Sequence, residues 1–103
     1  MRRALLALAL LAAPAFAHAQ AAGQWQGPEH IWRASCAYCH ETGLGPKLLG
    51  ARLPAAVTIA AVRRGPNGMP PFTGSSISDD ELKTLAAWLN KQPAPPPPPG
   101  AKP

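Results

Sequence analysis

Strong charge of either sign is scarce in this chain. Only 15% of its 103 residues are charged, and no block of lysine and arginine interleaves with aromatic side chains. The basic, aromatic-lined surface that nucleic-acid binding needs is therefore excluded. Arg63-Arg64 is the only adjacent basic pair beyond residue 3, and it suits a solvated helix end, where the helix dipole favours cations. Long apolar runs are scarce as well. The stretch from Ala4 to Ala13 is shorter than the roughly 20 residues a membrane-spanning helix requires, and no later segment does better. A convincing β-strand is also missing.

The two ends of the chain have distinct compositions. Residues 1–19, MRRALLALALLAAPAFAHA, combine a basic start, an apolar run and a small-x-small ending at Ala17-His18-Ala19. That pattern predicts a signal peptide cleaved after Ala19, hence an exported protein with no membrane span after signal removal, periplasmic in a Gram-negative source. Cleavage also removes Arg2 and Arg3, and the remaining eight basic and five acidic side chains leave a modest +3. At the other end, residues 93–103 form a proline-rich tail predicted to be extended and disordered, because polyproline II has no internal hydrogen bonds. Residues 20–92 are then the folded domain. A domain of that size is marginal on hydrophobic burial alone, so a staple or cofactor is expected.

Three helices are predicted, making the domain all-α. Pro28 suits a first helical position and Glu29 its dipole, starting a helix that runs to about Tyr38. A second runs from Pro54 to Arg64 and stops at Gly65, although the β-branched content of AVTIAAV leaves a strand as the competing reading. The third begins with a capping box, Ser78 with Glu81, and repeats Leu82, Leu85, Ala86 and Leu89 on its apolar face. Two Gly- and Pro-rich loops, ETGLGPKLLGARLP and GPNGMPPFTGSS, join the helices.

Cys36, Cys39 and His40 form the string C-x-x-C-H. A redox dithiol belongs in a strand–helix unit, which this chain lacks. A zinc site lacks a fourth ligand, because the only other histidine after the signal is His30. Covalent haem attachment needs nothing beyond the string: each thiol adds to a vinyl group and the adjacent histidine faces the iron. Export and the small core both favour it. Met69, the only methionine after the signal, sits in GPNGMPPF, where prolines stiffen the backbone enough to hold a weak thioether ligand. His40/Met69 ligation leaves no open site for a substrate, so the expected work is electron transfer.

Residues 25–91 resemble the small class I cytochromes c in carrying Cys36, Cys39 and His40, then Gly45-Pro46, Met69-Pro70 and a terminal LAAWL. The resemblance implies three main helices around one covalent haem c, with the Pro46 carbonyl accepting from His40. It also implies a crossing of first and last helices through Trp32 and Trp88. Pro28 stands where the family places a small glycine, which implies a shifted or looser crossing. GPKLLGARLP and VRRGPNGMPPF look most like the cytochrome subunits of 4-alkylphenol-oxidising flavocytochromes of the p-cresol methylhydroxylase type. This implies an FAD-containing flavoprotein partner and a downstream electron-acceptor protein. The chain alone would catalyse nothing. A free-standing carrier between respiratory complexes is the alternative, and a plain exported dithiol protein a second. Leu48, Ile59 and Val62 are expected to line the haem pocket, Tyr38 to cover its edge, and Arg63 either to reach a propionate or to be solvated. Ala37, Leu49 to Arg52 and Gly68 to Phe72 are expected to ring the exposed edge.

Overall fold

The computed structural model describes residue 12 and residues 20–102, so the expected signal segment lies outside the described residues except at Ala12. All regular elements among them are helical. Helix α1, Pro28–Ile31, continues through a π-helical segment, Trp32–Cys36, into α2, Ala37–His40. The wider turn is visible at Ala37, whose N–H donates to the Trp32 carbonyl five residues back. Such widened turns recur at functional sites, and this one leads directly into the cysteine motif.

Helix α3, Ala55–Arg64, shows that the strand alternative for this stretch is overridden. Pro54 serves as N-cap, and burial of Thr58 and Val62, one helical turn apart, uses a helical period. Gly65 ends the helix in the left-handed conformation, φ 63°. A side chain there would also collide with the Met69 carbonyl at 2.5 Å and the Pro71 nitrogen at 2.6 Å.

Helix α4, Asp79–Asn90, has the predicted capping box: Glu81 N–H donates to Ser78 Oγ (3.1 Å), and Ser78 N–H to Glu81 Oε1 (3.0 Å). The Glu81 carboxylate also accepts from the Gly23 N–H at 3.2 Å. Trp25 Nε1 donates to the Ser76 carbonyl (2.8 Å), so the strand-less N-terminal segment is tied to the start of α4. The core lies where α1 and the π-segment meet α4. Ile31, Trp32, Ile77, Leu82, Leu85 and Leu89 are all buried there, with the Trp32 and Trp88 rings 6.1 Å apart. Pro28 thus does not keep the first and last helices from packing together. The tail leaves from the end of α4 over the turn before α3, where the Gly50 N–H donates to the Gln92 carbonyl (3.0 Å) and Ala94 packs on Gly50.

Candidate functional site

Beside this core a cavity of about 570 Å³ opens between two walls. One wall is the end of the first helical rod with the loop after it. The other is α3 with the loop that carries Met69. Cys36, Cys39, His40, Pro46 and Met69, though spread over more than thirty positions of sequence, all line it.

His40 is held on three sides. Its Nδ1 lies 2.8 Å from the Pro46 carbonyl oxygen. A carbonyl can only accept, so Nδ1 is the donor, and in the neutral ring this leaves Nε2 with a free lone pair. Behind the ring, Gly45 keeps the backbone close: a Cβ there would stand 3.1 Å from both Nδ1 and Cε1, tight enough to press on the imidazole. The Trp32 ring is tilted 32° at 6.2 Å on another side. An imidazole fixed in tautomer and orientation is what a metal ligand requires.

The cysteines differ. Cys39 is exposed and Cys36 half-buried. Burial first, then the neighbouring Cys39, pushes the Cys36 thiol up to about 11. Cys36, so reluctant to ionise, is the poorer nucleophile of the pair. Zinc fares poorly: among the described residues no three His, Cys, Asp or Glu side chains gather into a metal-holding cluster.

Met69 stands on a stiff support. Its N–H donates to the Pro66 carbonyl (3.0 Å), and the Phe72 N–H donates to the Val62 carbonyl (2.9 Å), so the loop folds back on α3. Arg63 fastens the same loop from outside. Its Nη1 donates to the carbonyls of Phe72 (3.1 Å) and Ile77 (2.8 Å), and its Nη2 meets Asp79 Oδ1 at 2.7 Å. Arg63 is therefore neither a solvated helix end nor free to reach a propionate. It staples the Met69 loop to the start of α4.

Other expectations need correction. Leu48 and Val62 line the cavity, whereas Ile59 faces the hydrophobic core on a different side of α3. Tyr38 is 76% exposed and does not border the cavity, because its place on α2 points it to solvent. Of the surface expected to ring the opening, Gly68, Met69, Pro70 and Phe72 border it, but Ala37 and Leu49 to Arg52 do not. Leu44 and Val57, 70% and 49% exposed, border it too. Both were missed, and so was Thr58. The 57, 58, 61, 62 spacing on α3 was the available signal.

The donor set fits a haem. The cavity walls are largely apolar, as a flat macrocycle needs. Two thiols at the attachment spacing, an imidazole nitrogen and a thioether border the same space. Thr58 also lines that space, with its hydroxyl buried and unpartnered behind the wall.

Known proteins are similar to this chain. Residues 23–89 match the family model described as cytochrome c oxidase, cbb3-type, subunit III. The cytochrome c subunit of 4-cresol dehydrogenase (hydroxylating) from Pseudomonas putida is 39% identical over 79 residues, 75% of this chain and 70% of its own length. Two crystal structures of p-cresol methylhydroxylase, one with substrate bound, each contain a chain that matches with TM-score 0.63 and 36% identity. The matches cover 68% of this chain and 97% and 99% of those chains.

Proposed function

We propose, from the premise that this chain belongs to the c-type cytochrome family, that it is the one-electron subunit of a periplasmic flavocytochrome oxidising 4-alkylphenols. Family membership brings with it one covalently bound haem c, which supplies a reversible Fe(III)/Fe(II) couple. In our reading Cys36 and Cys39 would hold the group through thioethers, His40 Nε2 and the Met69 sulfur would ligate its iron, and Pro46 would orient His40. The observation that carries the reading is the His40 Nδ1–Pro46 contact of 2.8 Å in a cavity that Met69 also lines.

With the iron held by two of the chain's own side chains, no position would be left for an organic substrate there. The chain's work is then to hold the redox group in an apolar setting and present its edge to partners. The cavity mouth, bordered by Leu44, Val57 and Pro70, carries no charge of its own. A neutral, partly apolar mouth suits a docked subunit better than a roaming carrier steered by charge. The partner we propose is an FAD-containing flavoprotein, as the relative's role in 4-cresol dehydrogenase suggests. A reduced flavin there would release its two electrons singly through this subunit to a downstream acceptor protein. Periplasmic placement follows from the signal-like start, and no helix among the described residues is long and apolar enough to cross a membrane.

Co-expression with candidate flavoproteins followed by size-exclusion chromatography tests the assignment. Co-elution, and haem reduction on adding a 4-alkylphenol, are expected. Separate elution with no reduction would favour a free-standing carrier.

A further inference from the structure

Residues 93–102 are exposed and belong to no helix or core cluster. Six of the seven residues 93–99 are proline. A proline ring fixes its own φ, and the residue before a proline is pushed to extended ψ. Residues 94–98 each precede a proline, so each favours polyproline II. At about 3.1 Å per residue, residues 93–98 make a rod roughly 19 Å long. A turn closes it: the Ala101 N–H donates to the Pro98 carbonyl (3.0 Å), with Gly100 at φ 83°.

The root of the rod is fixed. Asn90 Nδ2 donates to the Leu53 carbonyl (2.8 Å), and Gln92 Nε2 to the Trp88 carbonyl (2.9 Å). The Gly50 N–H donates to the Gln92 carbonyl, and a Cβ on Gly50 would stand only 2.6 Å from that of Ala94. Leu48 and Leu53, at the two ends of this loop, both line the cavity. The rod therefore springs from the frame of the cavity, within reach of a partner that covers its mouth.

Prolines supply no N–H, so the rod cannot be extended as an added strand, and no charged side chain precedes Lys102. What it offers is ring surface and carbonyl oxygens. Of residues 93–98, only Pro98 has its carbonyl engaged among the described residues. Grooves lined with aromatic side chains read that combination, with ring faces on the prolines and Trp or Tyr donors on the carbonyls. This chain does not supply such a groove, because Tyr38 is the one exposed aromatic side chain among the described residues. The groove belongs to another protein.

We infer that the 93–98 rod is a second docking element for the flavoprotein, seated in an aromatic-lined groove beside the surface that covers the cavity mouth. The inference rests on the flavocytochrome reading. A preformed rod loses little conformational freedom on binding, so it prolongs a complex without any help from charge. It lies outside residues 23–89, the stretch matched by the family model, and adds a contact to that domain without altering it.

The test uses the flavoprotein that co-elutes with the full-length holo-cytochrome. Against it stand the full chain, a chain ending at Ala94, and a full-length chain carrying Pro95→Ser, Pro96→Ser, Pro97→Ser, Pro98→Ser and Pro99→Ser. Dissociation rate, melting temperature and midpoint potential are measured for each. The inference predicts dissociation faster by roughly tenfold in both variants, with melting temperature and potential unchanged. Equal dissociation of the truncated and full chains would overturn it. So would a serine variant that dissociates like the full chain, since length alone would then suffice. Faster dissociation together with a lowered melting temperature would give the tail a structural part instead. Failure of every candidate flavoprotein to bind the full chain would refute the flavocytochrome reading itself, and the inference with it.

Discussion

The helix crossing and the cavity beside it are built on opposite terms. At the crossing, Ile31, Ile77, Leu82 and Leu85 are each 1% exposed, and the Trp32–Trp88 pair closes the interface. That half is complete from the chain's own side chains. In the cavity half, Val57 and Leu44 stand exposed, Thr58 lacks a partner, and Cys36, Cys39, His40, Pro46 and Met69 line one cavity. A small domain can therefore be half self-sufficient and half dependent on a covalent cofactor, with the first half holding the second in readiness. Arg63 and Trp32 are the joints between them: one staples the Met69 loop to α4, the other touches both His40 and Trp88.

The strongest way to break this contrast is to remove the attachment points. Cys36→Ala with Cys39→Ala should abolish covalently retained haem and, with it, most of the cooperative thermal transition. Haem staining after denaturation and a melting curve measure the two effects. An unaltered melt would show that the cavity half stands without its cofactor. Next in size is a cut at the crossing itself. Leu85→Ala should cost about 2–5 kcal/mol of stability, the range for emptying a buried leucine site, while leaving the covalent haem in place. Denaturant unfolding followed at the haem band reads that loss. A negligible loss would mean that the crossing is not a close-packed core.

How much of this was legible beforehand differs between the same two halves. The capping box, the Gly65 stop and the C-x-x-C-H string are local patterns, set by neighbours three or four residues apart, and each appears where sequence places it. Arg63 was misjudged because its partners, Phe72, Ile77 and Asp79, are fixed by how a loop folds back, which no periodicity encodes. The π-helical turn before Ala37 leaves no compositional mark, since one extra residue per turn changes neither charge nor hydropathy. Ile59 was assigned to the cavity because apolar character alone does not say which side of a helix meets which neighbour.

A smaller effect sharpens the account of the crossing's edge. Ser78→Ala removes one half of the capping box and should cost about 0.5–2 kcal/mol, measurable by thermal unfolding. Its partner adds a pH signature. The Ser78 backbone N–H, and then that of Gly23, hold the Glu81 carboxyl below its ordinary value. Its contribution is fully present above the ordinary carboxylate range and is lost as pH falls through the lowered native value. Glu81→Gln should accordingly flatten the acid limb of the stability profile; an acid limb identical to wild type would exclude Glu81 as its source. The smallest change is expected at the tail. Truncation after Ala94 keeps the contact with Gly50 and should move stability by less than about 0.5 kcal/mol. A larger loss would give the proline run a structural part.

The central claim, that the cavity half is finished by a covalent haem, is tested most directly by intact-mass measurement of the denatured protein. It should be purified from a host that matures c-type cytochromes. The account predicts the mass of the processed chain plus one haem, carried on the peptide that contains Cys36 and Cys39. A chain at its bare polypeptide mass, colourless after denaturation, would contradict it.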